Sequence, residues 1–233
     1  VAAMMPSMVF AANAKSDDIV VLYTNDVHCG IDDSIGYAGL AAYKADKLKE
    51  TKNVVLVDAG DAIQGDLAGA LSKGDYIVDI MNQVGYDVAV PGNHEFDFGM
   101  DQFLALTKKS NAKYISSNFT DTKANKTVFD PYVIKELGGK KVAFVGISTP
   151  ESITKSTPAF FQDEKGNYIY DFCNDKTGKK LYKAVQNAID AAKAEGADYV
   201  IALGHMGIDD QSKPWTSREV TANTTGLNAF IDG

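Results

Sequence analysis

The stretch VVLVDAGD, residues 54–61, is four apolar residues, three of them β-branched, followed by an acid, Ala-Gly and a second acid. The apolar run has the length of a strand, and the glycine after it lets the backbone turn sharply. The same form recurs in IVVLYTND (19–26), YDVAVPGNHE (86–95), KYISSN (113–118), KKVAFVGIS (140–148) and DYVIALGHM (198–206). Amphipathic stretches at 40–50, 76–84, 100–108 and 178–195 lie between them and read as helices. Alternation of this kind defines an α/β domain, and strands apolar along their whole length are covered on both faces. Residues 154–177 are polar and aromatic without a period, which predicts an excursion carrying a loop or hairpin. No internal repeat or Pro/Gly/Ser linker divides the chain, and 233 residues suit one domain with a sizeable core.

A hydrophobic fraction of 45% with 23% charged residues excludes disorder and coiled coil. The net charge of -8, with basic residues only in short pairs such as Lys108-Lys109 and Lys140-Lys141, argues against a polynucleotide-binding groove. An acidic chain can still act on small phosphates where bound divalent cations invert the local charge. Residues 1–14, VAAMMPSMVFAANA, are a short apolar run ending in small residues before the polar KSDD. They read as the remnant of a secretory signal peptide cleaved after Ala14, and so predict an extracytoplasmic protein with no transmembrane segment. A frayed arm or apolar strand is the plainer alternative. Cys29 and Cys173 are too few for a disulfide framework, although export would permit a bridge between them.

In open α/β sheets ligands gather at the carboxyl ends of strands. Those ends read Asp26-Val27-His28, Gly60-Asp61 with Gly65 following, Gly92-Asn93-His94-Glu95 and Gly204-His205. Alternation along an extended chain would put Asp26 and His28 on one side, as a chelate requires. Any one of these acids alone reads best as a helix cap or Asx turn. For the set that reading fails, because all three histidines of the chain stand at separate strand ends beside a glycine, acid or amide. Asp26, His28, Asp61, Asn93 and His205 form a mixed oxygen and nitrogen donor set suited to two borderline divalent ions such as Zn²⁺ or Mn²⁺.

D-x-H, G-D-x-x-x-G, G-N-H-E and G-H in this order resemble the calcineurin-like metallophosphoesterases. The strings TNDVHCG, GDAIQGD, GNHEFDFG and TANTTGLNAFIDG most closely resemble its 5'-nucleotidase group, which includes UDP-sugar hydrolases and 2',3'-cyclic nucleotide phosphodiesterases. The resemblance implies an αββα sandwich, with mixed sheets between helices, over residues 15–233. It implies that Asp26 and His28 bind one divalent ion, that Asp61 bridges, and that Asn93 and His205 bind the other. It makes His94 no ligand but a group paired with Asp97 that stabilises or protonates the departing group. Asp97 reads about as well as a cap for the helix at 100–108. Asn118, after a strand, reads as an Asx turn ahead of a substrate contact, and residues 209–225 with Trp215 as a packed surface loop ahead of a segment flanking the site.

The family pattern continues past the final Asp-Gly with G-H-x-H or G-H-x-Q, so the resemblance implies further ligands beyond Gly233. It also implies a C-terminal nucleotide-binding domain outside this sequence, and makes activity of the isolated chain doubtful. The expected function is metal-dependent hydrolysis of nucleotide phosphate esters, with a small-molecule nucleotide as partner. A related hydrolase of non-nucleotide esters and an inactive surface metal-binding module are the competing readings.

Overall fold

The computed structural model describes residues 16–233; the segment read as a signal-peptide remnant lies outside them. In chain order the elements are β1 (Val20–Thr24), α1 (Gly36–Glu50), β2 (Val54–Asp58), α2 (Leu67–Ser72), α3 (Asp75–Val84), β3 (Val88–Ala89), α4 (Met100–Lys109), β4 (Lys113–Tyr114), β5 (Thr120–Asp121) and β6 (Lys126–Thr127). There follow β7 (Tyr132–Leu137), β8 (Lys140–Ser148), α5 (Ser152–Lys155), β9 (Tyr170–Asp171), α6 (Lys179–Ala194), β10 (Tyr199–His205), α7 (Ser217–Ala222) and β11 (Ala229–Asp232).

One sheet has the order β1-β2-β3-β4 and is parallel throughout. The other runs β11-β10-β8-β7, with only β7 antiparallel to its neighbour. The two pack face to face. Val55, Val57, Val88, Val142, Phe144 and Leu203 fill the layer between them. The alternate residues of the same strands turn outward: Leu56 meets Ile77, Met81 and Phe103 of the helices over the first sheet, while Ala143, Val145 and Ile147 meet Leu181, Val185 and Ile189 of α6. Period-two alternation with both faces buried is what gives β2, β8 and β10 their continuous apolar runs. The architecture is therefore helix, sheet, sheet, helix, as the resemblance implied.

A third small antiparallel sheet, β6-β5-β9, lies beside these layers. The stretch 154–177 carries the expected hairpin contact, a Gln162–Tyr168 bridge, but it is no mere surface excursion. Phe161 and Phe172 are fully buried, and their rings stand 5.1 and 5.4 Å from that of Phe96. Their aromatic payload sits in the main core, which a sequence without period could not reveal. Cys29 is a buried free thiol and Cys173 a partly buried one. Among the described residues no helix is long and apolar enough to cross a membrane.

Candidate metal centre

Parallel strands bring their carboxyl ends to one edge of the sandwich, where the loops after β1, β2, β3 and β10 converge. Asp26, His28, Asp61, Asn93, His94 and His205 all line one cleft of about 370 Å³ there, together with Thr149 and Lys155. A larger groove of about 610 Å³ lies at the amino ends of β1, β8 and β10, where Ile19, Val21, Val142 and Ile201 offer little chemistry. The donor groups, not the volume, single out the first.

Sheet alternation does not align Asp26 and His28. Strand β1 stops at Thr24, and both residues adopt left-handed backbone, with φ of 50° and 47°. Asp61 does the same at φ 60°. For residues other than glycine this conformation costs roughly 1–2 kcal/mol each, and such strain collects where side chains must be aimed at a site. The turns survive because the loops hold one another: Asp26 N donates to Gly60 O and His28 N to Asp61 O, both at 2.9 Å. A Cβ at Gly60 would stand 2.6 Å from the Gly92 nitrogen, so only glycine lets the second and third loops touch.

Asp61 sits at the middle of the cluster. Its Oδ2 lies 3.1 Å from His205 Nε2 and 3.8 Å from His28 Nε2, while its Oδ1 accepts from His94 N at 2.8 Å. Asp26 Oδ1 is 4.0 Å from His28 Nε2. Donor atoms of Asp26, Asp61 and His205 all fall within 4.8 Å of one another. Each imidazole is aimed by its other nitrogen: His205 Nδ1 donates to Ala59 O at 2.9 Å and His28 Nδ1 to Gln64 O at 3.0 Å. A backbone carbonyl behind each ring is the arrangement that turns Nε2 toward a metal. Asn93 is nearly buried and directly precedes the 3₁₀ turn His94–Phe96.

The charges fit a cation as well. Burial opposes charge on His205, but the hydrogen bond and charge of Asp61 prevail and push its pKa up to about 9. Burial opposes charge on Asp61 too, and His205 again prevails, holding the carboxyl below its ordinary range. Behind them, burial pushes Asp58 up to about 6 and Glu95 up to about 8. Three buried acids thus stand beside one buried base, and the repulsion that Asp61 and Asp58 add to burial at Glu95 is one that a bound divalent ion would offset.

His94 points its Nδ1 at Asp97 Oδ2, 2.6 Å away, and Ser156 Oγ donates to Asp97 Oδ1 at 2.8 Å. Asp97 is therefore not the cap of α4; Gly99 occupies that position without a side-chain bond. Asn118 does more than a local turn. It is fully buried, and besides the local bond from Ser116 Oγ to its Oδ1 its Nδ2 donates to Ser148 O at 2.7 Å and Phe172 O at 2.9 Å, tying three segments together. Trp215 packs as expected, its Nε1 donating to Asp175 O at 3.0 Å.

Four contributors escaped the sequence reading. Glu95 buries its carboxylate against loop N–H groups, Ser156 holds Asp97, Lys155 lines the cleft while pairing with Glu151 at 3.0 Å, and Asp232 accepts from Met206 N at 2.8 Å behind His205. Glu95 and Asp232 carried a signal, as the last letter of GNHE and the acid of the closing Asp-Gly; Ser156 and Lys155 carried none.

The chain shares 30% identity with a snake venom 5'-nucleotidase of Gloydius brevicauda, over 94% of this chain and 37% of the relative. It shares 28% with the 2',3'-cyclic-nucleotide 2'-phosphodiesterase/3'-nucleotidase of Haemophilus influenzae, over 86% of this chain and 33% of that one. The crystal structure of the calcineurin-like phosphoesterase YfkN from Bacillus subtilis superposes with a TM-score of 0.75 at 26% identity, covering 92% of this chain and 71% of that one. The chain spans about a third of the length of these two sequence relatives. Residues 19–231 match the family model described as calcineurin-like phosphoesterase, and the chain belongs to that family.

Proposed function

We propose that the protein hydrolyses phosphate esters of nucleotides at a pair of divalent ions, Zn²⁺ or Mn²⁺, held in this cleft. The observation that carries the reading is Asp61 Oδ2, faced by the Nε2 atoms of His205 and His28, each ring fixed from behind by a backbone carbonyl. Such ions supply charge stabilisation on the phosphoryl oxygens and acidify a bound water. Asp61 would serve both ions, one held with Asp26 and His28 and the other with Asn93 and His205. His94 binds no ion. With Nδ1 committed to Asp97, its Nε2 is the nitrogen left to give a proton to the departing oxygen. A module that only bound metal would have no use for that oriented imidazole. The names of the relatives support nucleotides as the substrate class. The apolar residues 1–14 and the venom relative support a place outside the cytoplasm.

The test is phosphate release by the Mn²⁺- or Zn²⁺-loaded protein from a panel of nucleoside monophosphates, 2',3'-cyclic nucleotides and UDP-sugars. Release from none of them would sink the reading. Replacing His94 with Ala should lower kcat by about 10²–10⁴-fold, the usual worth of a general acid, with metal content nearly unchanged. Equal loss of metal would show His94 to be a ligand instead.

Metal loading should also release a proton. His205 has its pKa raised to about 9, so at pH 7 it carries a proton that its Nε2 must lose to bind an ion. Calorimetry in buffers of different ionisation enthalpy should give about one proton released per site at pH 7. The release should fade as the pH rises through about 9. A binding enthalpy independent of buffer at pH 7 would contradict the assignment.

A further inference from the structure

Adjacent residues of one turn grip Asp61 from two sides. His94 offers its backbone N–H to Asp61 Oδ1 at 2.8 Å, while Glu95 reaches its carboxylate around to the Asp61 backbone. Glu95 Oε2 accepts from Asp61 N at 2.8 Å and from Gly92 N at 2.6 Å, and its Oε1 accepts from Ala62 N at 2.8 Å. The side chain is 1% exposed, and no Lys or Arg pairs with it among the described residues. Its three partners are all backbone amides of the loops that carry Asp61 and Asn93.

Reading the proposed two-metal site as above, we infer that Glu95 is a positioning residue: a carboxylate that never touches the metal but locks the Asp61 loop to the Asn93 turn and so sets metal affinity. Three N–H donors from two loops converge on the two Glu95 oxygens at 2.6 to 2.8 Å, so this one side chain ties the loops together at three points. The grip is needed because Asp61 holds a left-handed backbone that would otherwise relax. The loops also approach so closely that a Cβ on Gly92 would collide with the Asp61 carboxylate, which leaves no slack for either to shift alone. A metal ligand displaced by a fraction of an ångström loses its share of the chelate, and supporting groups of this kind change metal affinity by about 10–100-fold. Glu95 is not itself a ligand, since both its oxygens are taken up by amides. Buried carboxylates recur behind the site: Asp58 accepts from Gly60 N just before Asp61, and Asp232 from Met206 N just after His205. Glu95 differs from these two in accepting from backbone N–H groups of both the Asp61 loop and the Asn93 turn.

The test compares Glu95→Gln and Glu95→Asp with the unaltered protein. Gln keeps the size but presents an amide NH₂ to N–H donors, so at least one bond turns from attraction to conflict. Asp keeps the charge and shortens the reach. Mn²⁺ and Zn²⁺ dissociation constants are measured by calorimetry, and amide hydrogen exchange is followed at Asp61, Ala62 and Gly92 in metal-free protein. The expected result for Gln is a dissociation constant raised about 10–100-fold, with faster exchange at those three amides and unchanged exchange in β8 and β10. Asp should recover part of both. Unchanged affinity and exchange in the Gln variant would overturn the inference. So would protection lost equally across the core, or failure of both variants to fold, because Glu95 would then serve the fold and not the site. If the unaltered protein binds no divalent ion, the two-metal reading falls, while the exchange at the three amides still reports whether Glu95 holds the loops.

Discussion

An Asp61→Asn variant should fold normally and lose both bound metal and turnover. The change keeps shape and volume but removes the charge that holds His205 and replaces an acceptor oxygen with an NH₂ group. Two imidazole Nε2 atoms, 3.1 and 3.8 Å from Oδ2, lose the atom around which a shared site would form. Activity should fall by more than the roughly 10²–10³-fold typical of deleting one preorganised electrostatic contact, because the bridging ligand serves both ions. The neutral amide leaves no uncompensated buried acid, so the folded state should survive. Elemental analysis of purified protein and steady-state kinetics check the two halves of this expectation, and a variant retaining full metal content would contradict it.

Replacing Phe96 with Ala should have the largest effect on stability. Phe96 is fully buried, with the rings of Phe103, Phe119, Phe161 and Phe172 arranged edge-to-face around it at 5.0 to 5.4 Å. Truncating a buried Phe to Ala costs about 3–5 kcal/mol through lost transfer energy and the cavity left behind. Few rigid partners here can collapse into the gap, which places the cost toward the upper end. Phe96 also separates Glu95 from Asp97, so the same change should loosen the Asp61 clamp and the His94 pair. Urea unfolding followed by circular dichroism measures the loss; a shift below about 1 kcal/mol would mean that the aromatic cluster is not packed as described.

The helices were the most legible part of the chain. The expected 76–84, 100–108 and 178–195 became Asp75–Val84, Met100–Lys109 and Lys179–Ala194, because Gly74, Gly99 and Gly178 mark their starts. Helix α1 begins four residues before its expected start; Ile35 caps it with no side-chain bond, so no capping signal stood in the sequence. All six expected strands exist, but their lengths were not legible, and β5, β6, β7, β9 and β11 went unread. The run 86–95 yields only Val88–Ala89 because Pro91 and Gly92 turn the chain into the site. Edge strand β11 and the antiparallel β7 are only partly buried and lack the continuous apolar run of the others.

The donor residues were legible because histidines at strand ends are rare as structural devices, and the fold brings all three to one cleft. Their supports were not. Asp26 and His28 reach the cluster through left-handed turns that no alternation rule describes. Ser156 reaches Asp97 from 59 positions away, and Glu95 acts through backbone amides, contacts that leave no spacing in the sequence.

The most direct measurement is anomalous X-ray scattering at the Mn or Zn edge from crystals grown with that metal. The account predicts two peaks on either side of the Asp61 carboxylate, one beside Asp26 and His28 and the other beside Asn93 and His205. A single peak, or none in contact with Asp61, would contradict it.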